Sequence, residues 1–249
     1  LDRLGVPLRP LRALNAPHRC ADDCSYLRHS DSPLIRLCSG IVVFIQANSL
    51  IVNAQHSAHC RACKERVREL LNAIYGDCRA NFQFPWPSQP QDYANSAVGA
   101  DLEQIRTALG DFRGHRDFIK SALVPPCDYF ISDPPFIVEF DESQHFSRSR
   151  LVALDNYRDG ITVGFSISRW QELCRSVDAK DDTPFDRDER RAWYDTLRDL
   201  VPIVHGFKPT VRLYAEAFAW CSLEASTADG LSAFRALLQA CLAVAQSPS

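Results

Sequence analysis

The sharpest alternation of apolar and polar positions lies in residues 126–146, PCDYFISDPPFIVEFDESQHF. Two runs rich in β-branched and aromatic residues, Asp128–Ile131 and Phe136–Asp141, flank Ser132-Asp133-Pro134-Pro135, and this pattern predicts a β-hairpin. Folding it about Asp133–Pro134 pairs Ile131 with Phe136 and Tyr129 with Val138, and it sets Asp128 across from Glu139. Strand side chains alternate, so Ile137, Glu139 and Asp141 share one face, while Phe136, Val138 and Phe140 take the other and enter the core.

Helical periods surround this hairpin. Lys64 to Tyr75 carries an apolar stripe of Val67, Leu70, Leu71 and Ile74 and is ended by Gly76. Gly99 to Leu109 turns Leu102, Ile105 and Leu109 inward, with Glu103 beside that stripe. Leu151 to Gly160 reads as a third helix. A fourth starts at Asp186, packs Trp193, Leu197 and Leu200, and stops at Pro202; Arg187, Arg190, Arg191 and Arg198 crowd its remaining surface. Leu231 to Ala245 closes the chain as a helix. Strands are predicted at Gly40–Ile45, Ser49–Val52 and Val211–Trp220, and Phe118-Ile119 could start another. Residues 1–17 form an irregular arm, residues 84–98 with Pro85, Pro87 and Pro90 an extended linker, and residues 174–185 a polar loop. The resulting expectation is an N-terminal lobe over residues 1–97 and an α/β domain over residues 98–249, whose mixed central sheet is flanked by helices.

Composition narrows the function classes. The chain has 249 residues, 46% hydrophobic and 24% charged, as expected of a globular protein. No uninterrupted apolar run approaches the ~20 residues of a membrane-spanning helix, so no membrane partner is expected. The net charge of −3 argues against a globally basic nucleic-acid binder. Among 28 basic residues only four are lysines (64, 120, 180 and 208), and arginine suits bidentate phosphate contacts, although base composition would explain the bias equally well. The chain does not begin with Met, so its numbering starts after a removed segment or inside a longer protein; no secretory signal is visible, and a cytoplasmic location is expected.

Without a signal, ten cysteines point to metal binding or buried thiols before disulfides. Cys60-x-x-Cys63 stands at a helix start with the spacing of a zinc knuckle, and Cys20 and Cys24 supply a second pair. A structural zinc ion held by Cys20, Cys24, Cys60 and Cys63 is expected, with His18, His56, His59 and Cys78 as competing ligands.

The hairpin carries the other candidate chemistry. Asp128, Glu139 and Asp141 would repel one another unless a cation or protons intervened. Their oxygens suit Mg²⁺ (or Mn²⁺), held by one or two carboxylates plus substrate phosphate, and Gln144 and His145 follow within reach. Taken singly, Asp128 and Asp141 also fit strand ends that face water.

Asp128, a short turn, and then Ile137-Val138-Glu139-Phe140-Asp141 resemble the PD-(D/E)XK nuclease signature. The run VEFDESQHF is similar to the E-x-D-x-x-Q-H variant of the very-short-patch-repair and restriction endonucleases. The resemblance covers about residues 98–220. It implies that Asp128 and Glu139 bind Mg²⁺ and that a third residue, usually Lys two places after the Glu, helps to activate water. Asp141 stands in that place here, which leaves the general base open among Asp141, Gln144 and His145. Glutamine can only position or hydrogen-bond, whereas histidine has the pKa for acid or base work. Arg148, Arg150, Arg190 and Arg191 are candidate phosphate contacts.

The expected function is a Mg²⁺-dependent DNA endonuclease of restriction or related defence type. Cutting both strands of a duplex would take two chains, so a homodimer is a candidate assembly. Two rivals stand beside it: a nuclease fold that binds nucleic acid without cutting, and a hydrolase that turns the same carboxylates on a small substrate.

Overall fold

A computed structural model describes residues 59–244 together with two short strands, β1 (Ile35–Arg36) and β2 (Val42–Val43). These two pair antiparallel, with Ile35 opposite Val43. β2 falls within the strand predicted at Gly40–Ile45; the strand predicted at Ser49–Val52, the arm at 1–17, and Cys20 and Cys24 lie outside the described residues.

The main sheet has four strands in the order β3 (Cys78–Phe82), β4 (Cys127–Ser132), β5 (Pro135–Asp141) and β6 (Val211–Tyr214). β4 pairs antiparallel with β3 and with β5, and β6 is parallel to β5. The hairpin register is the predicted one: Tyr129 faces Val138 and Ile131 faces Phe136.

Helices cover both faces. On one side lie α1 (Arg61–Tyr75) and α6 (Ala228–Val244), whose Val67, Leu70, Leu71, Phe234 and Leu238 pack with Phe136, Val138 and Phe140. Gly76 closes α1 in the left-handed region (φ 78°), where a residue without Cβ pays no steric penalty. On the other side lie α2 (Gly99–Phe112), α3 (Arg148–Asp155), α4 (Ile167–Val177) and α5 (Arg187–Val204), around Leu102, Ile105, Ile137, Phe146 and Trp193. Ser147 and Ser166 cap α3 and α4 by accepting from the amides of Arg150 and Arg169. Each fully buried large apolar side chain contributes ~1.5–3 kcal/mol, which fixes the strand faces firmly.

Four expectations change. The boundary at residue 97 does not divide the described structure, because β3 and α1 precede it yet belong to the same sheet and its cover. Residues 84–98 are not an extended linker: only 84–89 are extended, Pro90–Tyr93 form a 3-10 turn, and the segment is packed, with Trp86 stacked on Phe84 and His205, Trp193 donating to the Ser88 carbonyl and Tyr93 donating to that of Pro87. Residues 174–177 finish α4, a helix hidden by its mixed composition. The predicted strand Val211–Trp220 stops at Tyr214 and continues as two 3-10 turns. No helix among the described residues is long and apolar enough to cross a membrane.

Candidate functional site

Asp128 is the second residue of β4, near the end of a central strand. Its Oδ2 accepts from the Phe140 amide at 2.9 Å, while Glu139 Oε1 accepts from the Asp128 amide at 3.3 Å. The two acids thus interlock across the hairpin, as the alternation predicts. Asp128 Oδ1 meets Lys64 Nζ at 2.7 Å; the Lys64 carbonyl in turn accepts from the Tyr129 hydroxyl at 2.6 Å. Burial works against the Lys64 ammonium, but Asp128 outweighs it and its pKa is raised, so the side chain is a cation at neutral pH. Lys64 is absent from the hairpin motif. Its only sequence signals are that lysine is rare here and that it directly follows Cys63.

Glu139 is only 3% exposed. Burial pushes its pKa up to about 7, Arg198 pulls it back, and Asp128 pushes it up again. Arg198 Nε lies 3.1 Å from Glu139 Oε2, yet makes no aligned hydrogen bond. Glu139 is therefore an acid whose charge is incompletely compensated.

Beyond Glu139 the same face of β5 enters a buried charge network. Arg212 on β6 donates to Asp141 Oδ1 (2.6 Å) and to Asp199 Oδ1 (2.7 Å). Trp170 Nε1 donates to Asp141 Oδ2 at 2.7 Å. Asp199 Oδ2 accepts from Arg150 and Tyr157, and Asp195 accepts from Arg198. His145 Nδ1 lies 2.9 Å from Asp195 Oδ2. Burial alone would favour neutral imidazole, but Asp195 outweighs it and the His145 pKa is raised, while that of Asp195 is lowered. Carboxylates 139, 141, 195 and 199 thus face guanidiniums 150, 198 and 212, with His145 set against Asp195.

This geometry corrects three expectations. Asp141, 1% exposed and held by Arg212 and Trp170, is a core anchor rather than a water-activating group. His145 serves the same network through Asp195. Arg150 is 2% exposed and bound to Asp199, so it does not present itself to phosphate. The spacing of Asp195, Arg198 and Asp199 on α5 is the signal that would have found the network: charges interrupt the stripe of Trp193, Leu197 and Leu200. Glu103 is exposed on α2 and lies 3.9 Å from Arg106.

Of the remaining predicted residues, Gln144 Nε2 donates to Glu142 Oε2 (2.7 Å), which also lies 3.2 Å from His59 Nδ1. Gln144, His59, Lys180, Arg187 and Arg191 line a groove of about 560 Å³. Arg191 donates to the Gln144 carbonyl and to Asp181, Arg190 to Asp186, and the exposed Arg148 to Asp178.

Cys60 and Cys63 meet Cys221, and the three sulfurs all lie within 4.8 Å of one another, a group that could hold a metal ion. Cys60 and Cys63 are buried, and burial pushes the Cys63 thiol up to about 11. Cys221 was not anticipated; it stands alone in sequence, far from the other pair. No family model, curated protein or solved structure matches this chain.

Proposed function

We propose that the chain is a metal-dependent endonuclease acting on DNA, with Asp128, Glu139 and Lys64 as its working residues. The observation that carries this reading is their convergence: two acids interlocked across a hairpin, with an ammonium from another element 2.7 Å from the outward oxygen. A mixed sheet flanked by helices, with the acids on adjacent central strands, supports the PD-(D/E)XK resemblance. The ammonium that the motif lacks on β5 comes instead from α1.

Asp128 and Glu139 fit Mg²⁺ or Mn²⁺ by donor type, and the incompletely compensated charge of Glu139 favours a cation at this site. Once bound, such an ion polarises a phosphate oxygen and acidifies water. Lys64, a cation, stabilises negative charge but takes no proton. With Asp141 and His145 committed to the core, Asp128 and Glu142 are the carboxylates of the site that solvent reaches, at 17% and 19% side-chain exposure. Gln144 positions Glu142. Lys180, Arg187 and Arg191 along the groove would neutralise backbone phosphates, so binding should weaken steeply with salt. A restriction or related defence role, and pairing of two chains to cut a duplex, follow from the resemblance.

One observation favours a second reading, a fold that binds nucleic acid without cutting: Arg198 already faces Glu139, and Lys64 already faces Asp128. The deciding experiment is cleavage of long, sequence-diverse DNA by wild type, Asp128→Ala and Glu139→Ala with Mg²⁺, Mn²⁺ or EDTA. Discrete fragments from wild type alone, lost in EDTA, are expected. Binding without cutting under every metal condition would establish the second reading, and absence of any nucleic-acid binding would defeat both. Zinc is the proposed structural metal at the cysteine cluster, separate from this chemistry.

A further inference from the structure

We infer that Cys60, Cys63 and Cys221 are three ligands of one thiolate zinc site, which clamps the C-terminal layer onto the start of α1 and so sets Lys64 against Asp128. The metal site stands on its own geometry; only its consequence for catalysis rests on the nuclease reading.

The donors come from two distant parts of the chain. Cys60 is the residue before α1 and Cys63 lies in its first turn, where the Cys63 and Lys64 amides bond back to the Cys60 carbonyl. Cys221 lies in the 3-10 turn Trp220–Ser222 that leads towards α6. Thiolates around one tetrahedral zinc, with Zn–S of about 2.3 Å, stand about 3.8 Å apart. The three sulfurs here are all within 4.8 Å, so small side-chain adjustments complete the geometry. A helix N-terminus also favours negative sulfur, because its free amides and dipole present partial positive charge.

Apolar packing does not require this convergence. Cys127 and Cys174 are equally buried but stand apart from any such group, so they behave as small core residues. An all-sulfur donor set is soft and selects zinc over Mg²⁺ or Ca²⁺.

The consequence follows from chain order. Lys64 is the next residue after Cys63, and it touches both Asp128 and the Tyr129 hydroxyl. On the partner side, Trp220, Leu223 and Phe234 pack with Val67, Leu70 and Leu71, and Arg66 pairs with Glu224 at 3.2 Å. A metal at the three sulfurs therefore pins the one turn of α1 that delivers the ammonium to Asp128.

The test is zinc content and zinc K-edge absorption on full-length protein purified without chelator. We expect about one zinc per chain in wild type and in Cys127→Ser, and far less in Cys221→Ser. Absorption fine structure of wild type should show at least three sulfur neighbours at about 2.3 Å. Wild-type protein that stays zinc-free after loading, Cys221→Ser with undiminished zinc, or fewer than three sulfur neighbours would each overturn the site. The wild-type spectrum stays decisive if Cys221→Ser does not fold. None of these readouts involves DNA, so failure of the nuclease reading leaves them unaffected. If wild type cuts DNA, folded Cys221→Ser should cut at least tenfold more slowly than Cys127→Ser; equal rates would sever the link between the clamp and Lys64.

Discussion

Asp128 and Asp141 sit on neighbouring strands of one hairpin, and both fall in positions where the proposed resemblance to the PD-(D/E)XK signature would put working residues. Their surroundings separate them. Asp141 is closed off under α4 and α5, with both oxygens held by Arg212 and Trp170. Asp128 meets solvent near the start of β4, and its outward oxygen is held by a lysine that is itself 39% exposed. A buried guanidinium cannot leave without stranding charge, whereas a partly exposed ammonium can shift into water at modest cost. A motif therefore marks where acids gather; displaceable partners mark which of them can work.

The largest effect expected from this contrast is on stability. Arg212→Ala would leave Asp141 and Asp199 without their shared cation, at a cost of about 3–5 kcal/mol. Asp128→Asn, which breaks a partly exposed pair, should cost under about 1 kcal/mol. Urea unfolding of the two variants checks both, and an Arg212→Ala variant that fails to fold also meets the expectation. Equal, small losses would erase the distinction between candidate site and core.

Activity should show the reverse order. Asp128→Asn is expected to lower cleavage at least 100-fold, about 2.7 kcal/mol of transition-state stabilisation, with the fold intact by circular dichroism. Lys64→Ala should fall about tenfold or more, since an ammonium beside developing charge is worth a kcal/mol or more. Full activity in Lys64→Ala, with Asp128→Asn inactive, would reduce the lysine to a structural partner.

The hairpin was legible because alternation, turn residues and register all specify one arrangement, and the observed pairing of Tyr129 with Val138 follows from them. The apolar stripes of α1, α2 and α5 were legible for the same reason. The roles of the charged residues were not. Periodicity places Arg198 on a helix that also carries Arg187, Arg190 and Arg191, but it cannot show that Arg198 reaches β5 while the other three face the rim. Lys64 and Cys221 are invisible for a related reason, because each acquires its partners only through tertiary packing between distant segments. β3 was missed because Cys78–Phe82 contains Arg79 and Asn81 and shows little apolar alternation; its pairing with β4 decides its state.

A smaller effect should appear with pH. The fold raises the pKa of Glu139 from an ordinary 4.5 to about 7, so it favours the protonated carboxyl. That contribution is complete below about 4.5 and is lost as pH rises through 7. His145, also raised, acts in the same direction, whereas Asp195, lowered, loses its contribution only in acid. Without added metal, the melting temperature of wild type should therefore fall relative to that of Glu139→Gln between pH 5 and pH 8. Parallel curves for the two proteins would mean that Arg198 fully neutralises Glu139, and the site would lose its reason to attract a cation.

The smallest effect concerns Arg148, and it separates the groove from the remaining surface. Arg148 is 57% exposed and paired with Asp178, so Arg148→Ala should change stability by less than about 0.5 kcal/mol. It stands outside the lining of the groove, which includes Lys180, Arg187 and Arg191. If a phosphate backbone runs through that groove, Arg191→Ala removes one phosphate contact and should flatten the dependence of log affinity on log salt by about 1. Arg148→Ala should leave the slope unchanged. Because Arg191 also holds the Gln144 carbonyl and Asp181, its loss alone would confound contact with loop order. Lys180→Ala therefore belongs beside it, since Lys180 is an exposed cation of the same lining. A slope lowered by Arg148→Ala but not by the two groove variants would move the bound backbone off the groove and onto the start of α3.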